Sequence, residues 1–382
     1  MNIKTSKKPD SRVDVRYLQR FNIQAWGDDN LYPQRLERIA AASGTAELCL
    51  SRYAKFIEGY GFAGEQLSMQ EINRYGMTVD ELLHLIAGDV ARFGGFAVHV
   101  NYNLLGQVSE INWQPFIQCR LEEEDDGGNV AHIVTHPDWW GKKTRRGRRM
   151  AIDERHISRI DVFNPSPGAV MSQIEKAGGI EFYKGQILWC GMSGKSVYPM
   201  PVHDAVISEM STDEGLGNIK CRNARNNFLS ACMLVTKKGV PREGDDSMID
   251  PEDLTAFQGD ESLGKIMMVE MENDEDEPKV VPFQANNYDK EFSVTDASVI
   301  ERIYAQFHQE LFYSIRIGKL GFSGQVMRDA YEYYAGEVTN EQRFIARNLQ
   351  KVLAVWHDGL LHNADVTIAP LKYIAAEGNS HV

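Results

Sequence analysis

Four short stretches combine residue types that could do chemistry. In WCGMSGKSVYPMP, residues 189 to 201, Gly194-Lys195-Ser196 ends like a phosphate-binding loop. Such a loop needs a first Gly five positions before the second, then a helix whose amides face the phosphates. Trp189 stands at that position, and Pro199 and Pro201 prevent a helix from starting at Lys195. The stretch is expected to be a strand-to-helix connection. WGDDN (26–30) offers the paired carboxylates Asp28 and Asp29, the kind that hold two metals in nucleotidyl transfer. A further metal-binding Asp on an earlier strand is missing, and an Asx-rich turn before a helix explains the residues. HIVTHPD (132–138) places His132 and His136 four apart, on one face if the segment is a strand. No further ligand has suitable spacing, so the pair reads as sheet histidines. KKTRRGRR (142–149) is either a solvated loop balancing acidic neighbours, the favoured reading, or a phosphate-contacting patch. No Ser-His-Asp order, activated Cys or carboxylate pair stands out. The expectation is therefore a protein without catalytic chemistry, metal or cofactor.

The elements that would carry these stretches are set by hydrophobic period and punctuation. Residues 1–24 are polar and basic and are expected to form a loose arm. An α+β domain is expected over 25–200. It starts with a helix capped by Asn30, with Pro33 in its first turn and Leu36 and Ile39 inward. A second helix over 45–58 stops at Gly59 and Gly61. A third has Thr78 and Glu81 in capping-box spacing and ends at Gly94-Gly95. Apolar alternation over 96–102, 107–113, 116–122 and 130–137 predicts an antiparallel meander, with more strands at 159–164 and 180–190 around a polar loop.

From Val202 the pattern turns to long helix over 201–230, with Gly215 and Gly217 at a cost of about 1 kcal/mol each, so a kink is expected. Residues 231–288 alternate strand-like pieces (CMLVTKKG, KIMMVEM, KVVPFQ) with acidic loops. Helix resumes over 289–314, a Gly-bearing loop spans 315–326, and 327–382 holds a long helix with a capping box at Thr339 and Gln342 and a short tail strand.

Bulk properties narrow the classes. The chain has 382 residues, 43% hydrophobic and 25% charged, as expected of a folded protein with more than one core. A net charge of −13 argues against a sequence-reading DNA binder with a basic face. Five cysteines (Cys49, Cys119, Cys190, Cys221, Cys232) without C-x-x-C spacing argue against disulfides and structural zinc, and for a reducing compartment. MNIKTSKKPDSR lacks the apolar run of a signal peptide, and no segment approaches the roughly 20 apolar residues of a membrane span.

The order of these parts resembles the portal proteins, or head-to-tail connectors, of tailed bacteriophages. WGDDNLYPQRLERIAAASGTAELCLSRYAKFIEGYGF resembles the start of the portal wing. GQILWCGMSGKSVYPMPVHDAVISEM resembles the strand, turn and Pro-containing lead-in to the first stem helix, and NFLSACMLVTKKG the exit from it. DKEFSVTDASVIERIYAQFHQELF is similar to the second stem helix, and GFSGQVMRDAYEYYAGEVTNEQRFIARNLQKVL to the tunnel-loop exit and the long wing and crown helix. The short segment after Trp356 departs from the family and argues against an extended crown or barrel.

The resemblance implies an α+β portal-like architecture: wing 25–200, stem helices 201–230 and 289–314, clip 231–288, tunnel loop 315–326, and a C-terminal wing and crown helix. It implies a homo-oligomeric ring of about twelve subunits at one capsid vertex of a virion, assembled in the host cytoplasm, without membrane. Double-stranded DNA would pass through its channel, with terminase, capsid and scaffolding proteins, and neck adaptors as partners, and no enzymatic role. Arg316 and Lys319 are the first candidates to face DNA; Lys220, Arg222 and Arg225 are the second. Ordinary solvent exposure or ion pairing between subunits remains open for all five. Glu270, Glu272, Asp274, Glu275, Asp276 and Glu277 are the candidate docking surface of the clip. Another head or neck protein that contacts DNA, or a metal-dependent nucleotidyl-transfer protein using Asp28 and Asp29, are the alternatives.

Overall fold

The computed structural model describes residues 16–125, 127–141, 152–192, 197–225, 232–237, 266–271, 279–282, 288–359 and 361–374. The end of the expected loose arm is ordered: β1 (Tyr17–Leu18) and β2 (Ile23–Gln24) form a small hairpin. Its apolar residues Phe21 and Ile23 cluster with Leu31, Val134 and Trp139, which removes the reason for the segment to be loose. Beside them the guanidinium of Arg120 is fully buried. It donates to the carbonyls of Asn30, Ile117 and Cys119 and lies between the rings of Trp26 and Trp139. Burial pulls its pKa down to about 10.

Helix α1 (Tyr32–Ala42) has Pro33 in its first turn, as expected, but Leu31 occupies the cap position. Asn30 instead adopts a left-handed backbone, φ 62°, and its side-chain carbonyl accepts from Trp26 N and Arg120 Nε. Ser43 caps α2 (Gly44–Glu58), and α3 (Glu65–Ser68) is a single turn. Helix α4 (Val79–Phe93) has both bonds of the expected capping box, and Gly94 ends it with φ 71°.

The main sheet has six strands: β3 (Gly95–Tyr102), β4 (Val108–Gln114), β5 (Cys119–Leu121), β6 (His132–Thr135), β7 (Ser158–Val162) and β8 (Gln186–Gly191). Their order, β4-β3-β8-β7-β6-β5, is not the expected meander. Two antiparallel three-stranded halves meet along a parallel seam of two residue pairs, Asp161 with Gln186 and Val162 with Ile187. The segment expected as a polar loop contains α5 (Pro167–Ala177), so the last strand starts at Gln186 and not at residue 180. Helix α4 packs against β3 and β4, and α2 against α4.

Beyond the sheet, one turn of 3-10 helix (Val202–Val206) leads into α6 (Ile207–Arg225). Helix α6 runs unbroken through Gly215 and Gly217, so the expected kink is absent. Its 19 residues span about 28 Å. Strands β9 (Cys232–Lys237), β10 (Ile266–Met271) and β11 (Lys279–Pro282) form a separate sheet, β10 parallel and β11 antiparallel to β9. This sheet's extensive contacts are among its own strands.

Helix α7 (Tyr288–Gln306) returns to the body. The helix expected over 289–314 is two helices, because His308 takes a left-handed backbone, φ 55°, before α8 (Glu310–Arg316). The Gly-bearing connection is correspondingly short, 317–323, since Ser323 caps α9 (Gly324–Glu337) and α10 (Thr339–Leu353) comes directly after it. The expected Thr339–Gln342 capping box does not form: Thr339 Oγ1 donates to Ala335 O, and Gln342 Nε2 donates to the carbonyls of Phe56 and Ile57. The tail runs antiparallel to residues 60–63 through a single bridge, Phe62 to Ile368, rather than as a full strand.

Candidate functional site

The stretch that resembles a phosphate loop joins β8 to the 3-10 helix before α6. Residues 193–196, and with them Gly194, Lys195 and Ser196, lie outside the described residues. The segment from Tyr198 onward is firmly held. Tyr198 is fully buried and stacks on Trp26 with centroids 4.6 Å apart and planes 7° apart. Its hydroxyl donates to Gln24 O at 2.6 Å and accepts from Leu121 N at 2.9 Å, and burial pushes its pKa up. Next, Asp204 accepts from Tyr32 Oη at 2.5 Å, and buried His203 stacks on Phe307. Desolvation pulls the His203 pKa down to about 4, so the ring is neutral near pH 7. Gln306 Nε2 donates to Val202 O at 2.7 Å, tying the end of α7 to the 3-10 segment before α6.

From this base α6 and α7 run antiparallel. Glu209 bonds Arg302 at 3.2 Å and Lys220 bonds Asp296 at 2.7 Å. Met210, Leu216, Val299 and Ile303 are buried along the pair, whereas Val294 on α7 is exposed. Charges on α6 are sorted along its axis: Glu209, Asp213 and Glu214 precede Lys220, Arg222 and Arg225. That order complements a helix dipole, positive at the N-terminus and negative at the C-terminus. Asp213 also joins the pair to the body. Its Oδ2 accepts from Ser43 Oγ at 2.6 Å and Thr45 N at 3.3 Å, at the start of α2.

The break between α7 and α8 is fixed by Gln309, fully buried. Its amide donates to Cys49 O and Tyr334 Oη, and its carbonyl accepts from Arg52. Arg316, at the end of α8, is exposed, and its Nη1 donates to Tyr304 Oη at 2.9 Å. It borders a cleft of about 540 Å³ that Thr45, Leu48, Asp213 and Asn218 also line. Lys319 lies in the connection after it, among exposed Ile317, Leu320 and Phe322, the last 78% accessible.

The side chains of three of the five candidate cations are described. Lys220 is ion-paired within its own chain, Arg316 is tied to a tyrosine, and Lys319 makes no ion pair among the described residues. Arg222 and Arg225 lie near the end of α6. Of the acidic candidates, Glu270 lies on β10, and Glu272, Asp274, Glu275, Asp276 and Glu277 fall outside the described residues, as does the basic run 142–149. Sequence reasoning missed Asp213 and Gln309, and with them the buried bonds of Tyr198. Gln309 carried no signal of burial, since it stands between His308 and Glu310 in the sequence.

The other chemical candidates are accounted for by local partners. Asp28 pairs with Arg16 at 3.4 Å, and Asp29 with Arg35 at 2.7 Å while also accepting from Leu31 N, which is an Asx turn. His132 lies between Glu122 (2.5 Å) and Asp161 (3.4 Å). His136 falls beyond the end of β6, buried beside Trp139, with its Nδ1 accepting from Asp138 N. No group of three or more His, Cys, Asp or Glu able to hold a metal occurs among the described residues. Cys49 and Cys190 are buried, and burial pushes each thiol up to about 12, the opposite of an activated nucleophile. No helix among the described residues is long and apolar enough to cross a membrane.

No protein-family model matches the sequence, and no curated protein matches it. Among solved structures, the chain is similar to a protein in the neck of a native gene transfer agent particle computed with twelvefold symmetry. Identity is 15%, over 84% of this chain and 81% of that one, with a TM-score of 0.45. A chain in the virion of the native gene transfer agent is similar at 14% identity, covering 85% and 82%, TM-score 0.45. An HK97-family phage portal protein from Corynebacterium diphtheriae is similar at 10% identity, covering 84% and 93%, TM-score 0.34.

Proposed function

We propose that the chain is a subunit of a portal-type ring, a structural component of a phage-like particle that forms a channel for double-stranded DNA. The observation that carries this reading is the antiparallel pair α6 and α7, anchored in an α+β body at one end and bearing a separate three-stranded sheet at the other. Two helices alone cannot cover each other all round, and the uncovered faces, Val294 among them, suit packing against neighbouring copies. In this reading about twelve copies close the ring. The sheet and the acidic run from Glu270 to Glu277 would meet terminase during packaging and neck proteins afterwards. The exposed connection 317–323 would face DNA. A net charge of −13 fits a channel that lets DNA pass, because every phosphate neutralised adds salt-sensitive affinity that would retain it.

Native mass spectrometry and negative-stain imaging of the purified chain test the proposal. Closed rings with an axial opening are the expected result. A chain that stays monomeric across the whole accessible concentration range, without rings, overturns it. Within assembled rings, Lys319→Ala is expected to reduce DNA packaging or retention without altering assembly. If Arg316→Ala blocks assembly, its bond to Tyr304 is structural and Arg316 is withdrawn as a DNA contact.

A further inference from the structure

The parallel seam that joins the two halves of the main sheet is incomplete, and a groove opens where it ends. Strand β7 pairs with β6 over four of its five residues, Ser158 to Asp161 opposite Thr135 to His132. On its other side only Asp161 and Val162 have partners in β8. Val162 N donates toward β6, to Ala131 O, and Phe163 N donates toward β8, to Ile187 O. Backbone direction alternates along a strand, so the peptide groups of Arg159 also face the β8 side. No strand among the described residues lies there, because the segment before Gln186 turns away. The result is a short open strand edge on the floor of a groove of about 640 Å³.

The groove's chemistry differs from that of the chain as a whole. Its lining includes Lys176 and Lys184 and one carboxylate, Asp161, on a chain of net charge −13, while Arg159, also in the lining, is already paired with Glu122 at 3.7 Å. Asp161 Oδ1 lies 3.4 Å from His132 Nε2. Lys176 and Lys184 are exposed and make no ion pair among the described residues. Phe182, 69% accessible, stands at the rim.

We propose that this groove takes an extended acidic segment of a partner protein as an added strand along β7. Main-chain bonds to the open edge would supply register, Lys176 and Lys184 would meet acidic side chains, and Phe182 would cover an apolar residue between them. The chain's own N-terminus is a poor occupant on charge: residues 1–15 carry Lys4, Lys7, Lys8 and Arg12 against Asp10 and Asp14. The proposal stands apart from the ring reading, since either can fail alone.

Fluorescence anisotropy tests it, using the full chain and a labelled peptide of alternating glutamate and valine. The expected result is saturable binding, weakened about tenfold or more by Lys176→Glu with Lys184→Glu, and equally by N-methylating alternate amides of the peptide. The thermal melt of the variant reports that the fold is intact, and the N-methylated peptide tests the strand geometry with the protein unaltered. Absent binding, equal binding of a lysine–valine peptide, or indifference to N-methylation each overturns the proposal. So does a variant whose self-association, measured by sedimentation, falls in step with peptide binding, because the occupant is then a second copy of this chain.

Discussion

Asp89→Asn should make the protein more stable at neutral and alkaline pH and leave it unchanged in acid. Asp89 lies on α4, almost wholly buried, and two donors converge on one of its oxygens: Trp113 Nε1 at 2.8 Å and Phe116 N at 3.2 Å, both to Oδ2. Desolvation dominates those bonds and raises its pKa from 3.8 to about 7. The folded protein therefore holds a proton on Asp89 between about pH 4 and pH 7, where the unfolded chain has released it. Stability falls as pH rises through that window and is flat above it. Raising a pKa from 3.8 to about 7 corresponds to a cost of about 4 kcal/mol once both states are ionised. Asn copies the neutral acid, because its carbonyl takes the place of Oδ2 and keeps both donors while its amide group replaces Oδ1. Urea denaturation of both proteins at pH 5, 6, 7 and 8 measures the effect. The variant's advantage should be about 1–2 kcal/mol at pH 5 and grow to about 4 kcal/mol by pH 8. An advantage that does not change with pH, or a variant less stable at pH 8, refutes the assignment of a neutral Asp89.

Other perturbations read other parts of the structure. Gly59→Ala drives a Cβ into Ala369 O, well inside van der Waals contact, at a backbone φ of 62°. It should cost at least about 2 kcal/mol and speed proteolysis of the segment after residue 360, read by thermal melt and limited digestion. Gly215→Ala and Gly217→Ala meet nothing within 4 Å and should each stabilise the isolated subunit by about 0.5–1 kcal/mol in denaturant titrations. If neighbouring copies approach the bare backbone there, the same changes impair ring formation. Gln309→Leu strands Arg52, Tyr334 Oη and Cys49 O in a dry site and should cost about 2–4 kcal/mol in the same titrations, more than a simple loss of volume.

Local signals were legible where the bonds they encode are local. Thr78 and Glu81 spell a capping box, and both of its bonds form at the start of α4. Thr339 and Gln342 spell the same pattern and do not form one. Helix α9 runs to within two residues of α10, so Gln342 N already has a partner in Val338 O, and the Gln342 side chain serves the end of α2 instead. Gly215 and Gly217 argued for a kink at about 1 kcal/mol each, and contacts of α6 with α1, α2 and α7 outweigh that cost. The insertion of β8 between β3 and β7 is a long-range pairing that alternation within each strand cannot reveal. The same limit applied to the candidate site. Lys220 looked like an available cation because Asp296, its partner, is 76 residues away. Asp213 looked like one acid among many because Ser43 is 170 residues away.

That link between Asp213 and the start of α2 has a mechanical consequence. Helix α6 is held near its base by Asp213, with Tyr198 and Asp204 fixing the segment before it, and its end at Arg225 lies about 18 Å beyond Asp213. It is therefore a lever with its fulcrum at the body surface. A sideways load on the small sheet becomes torque at Asp213, and the first helix to feel it is α2, which runs through the hydrophobic centre of the body.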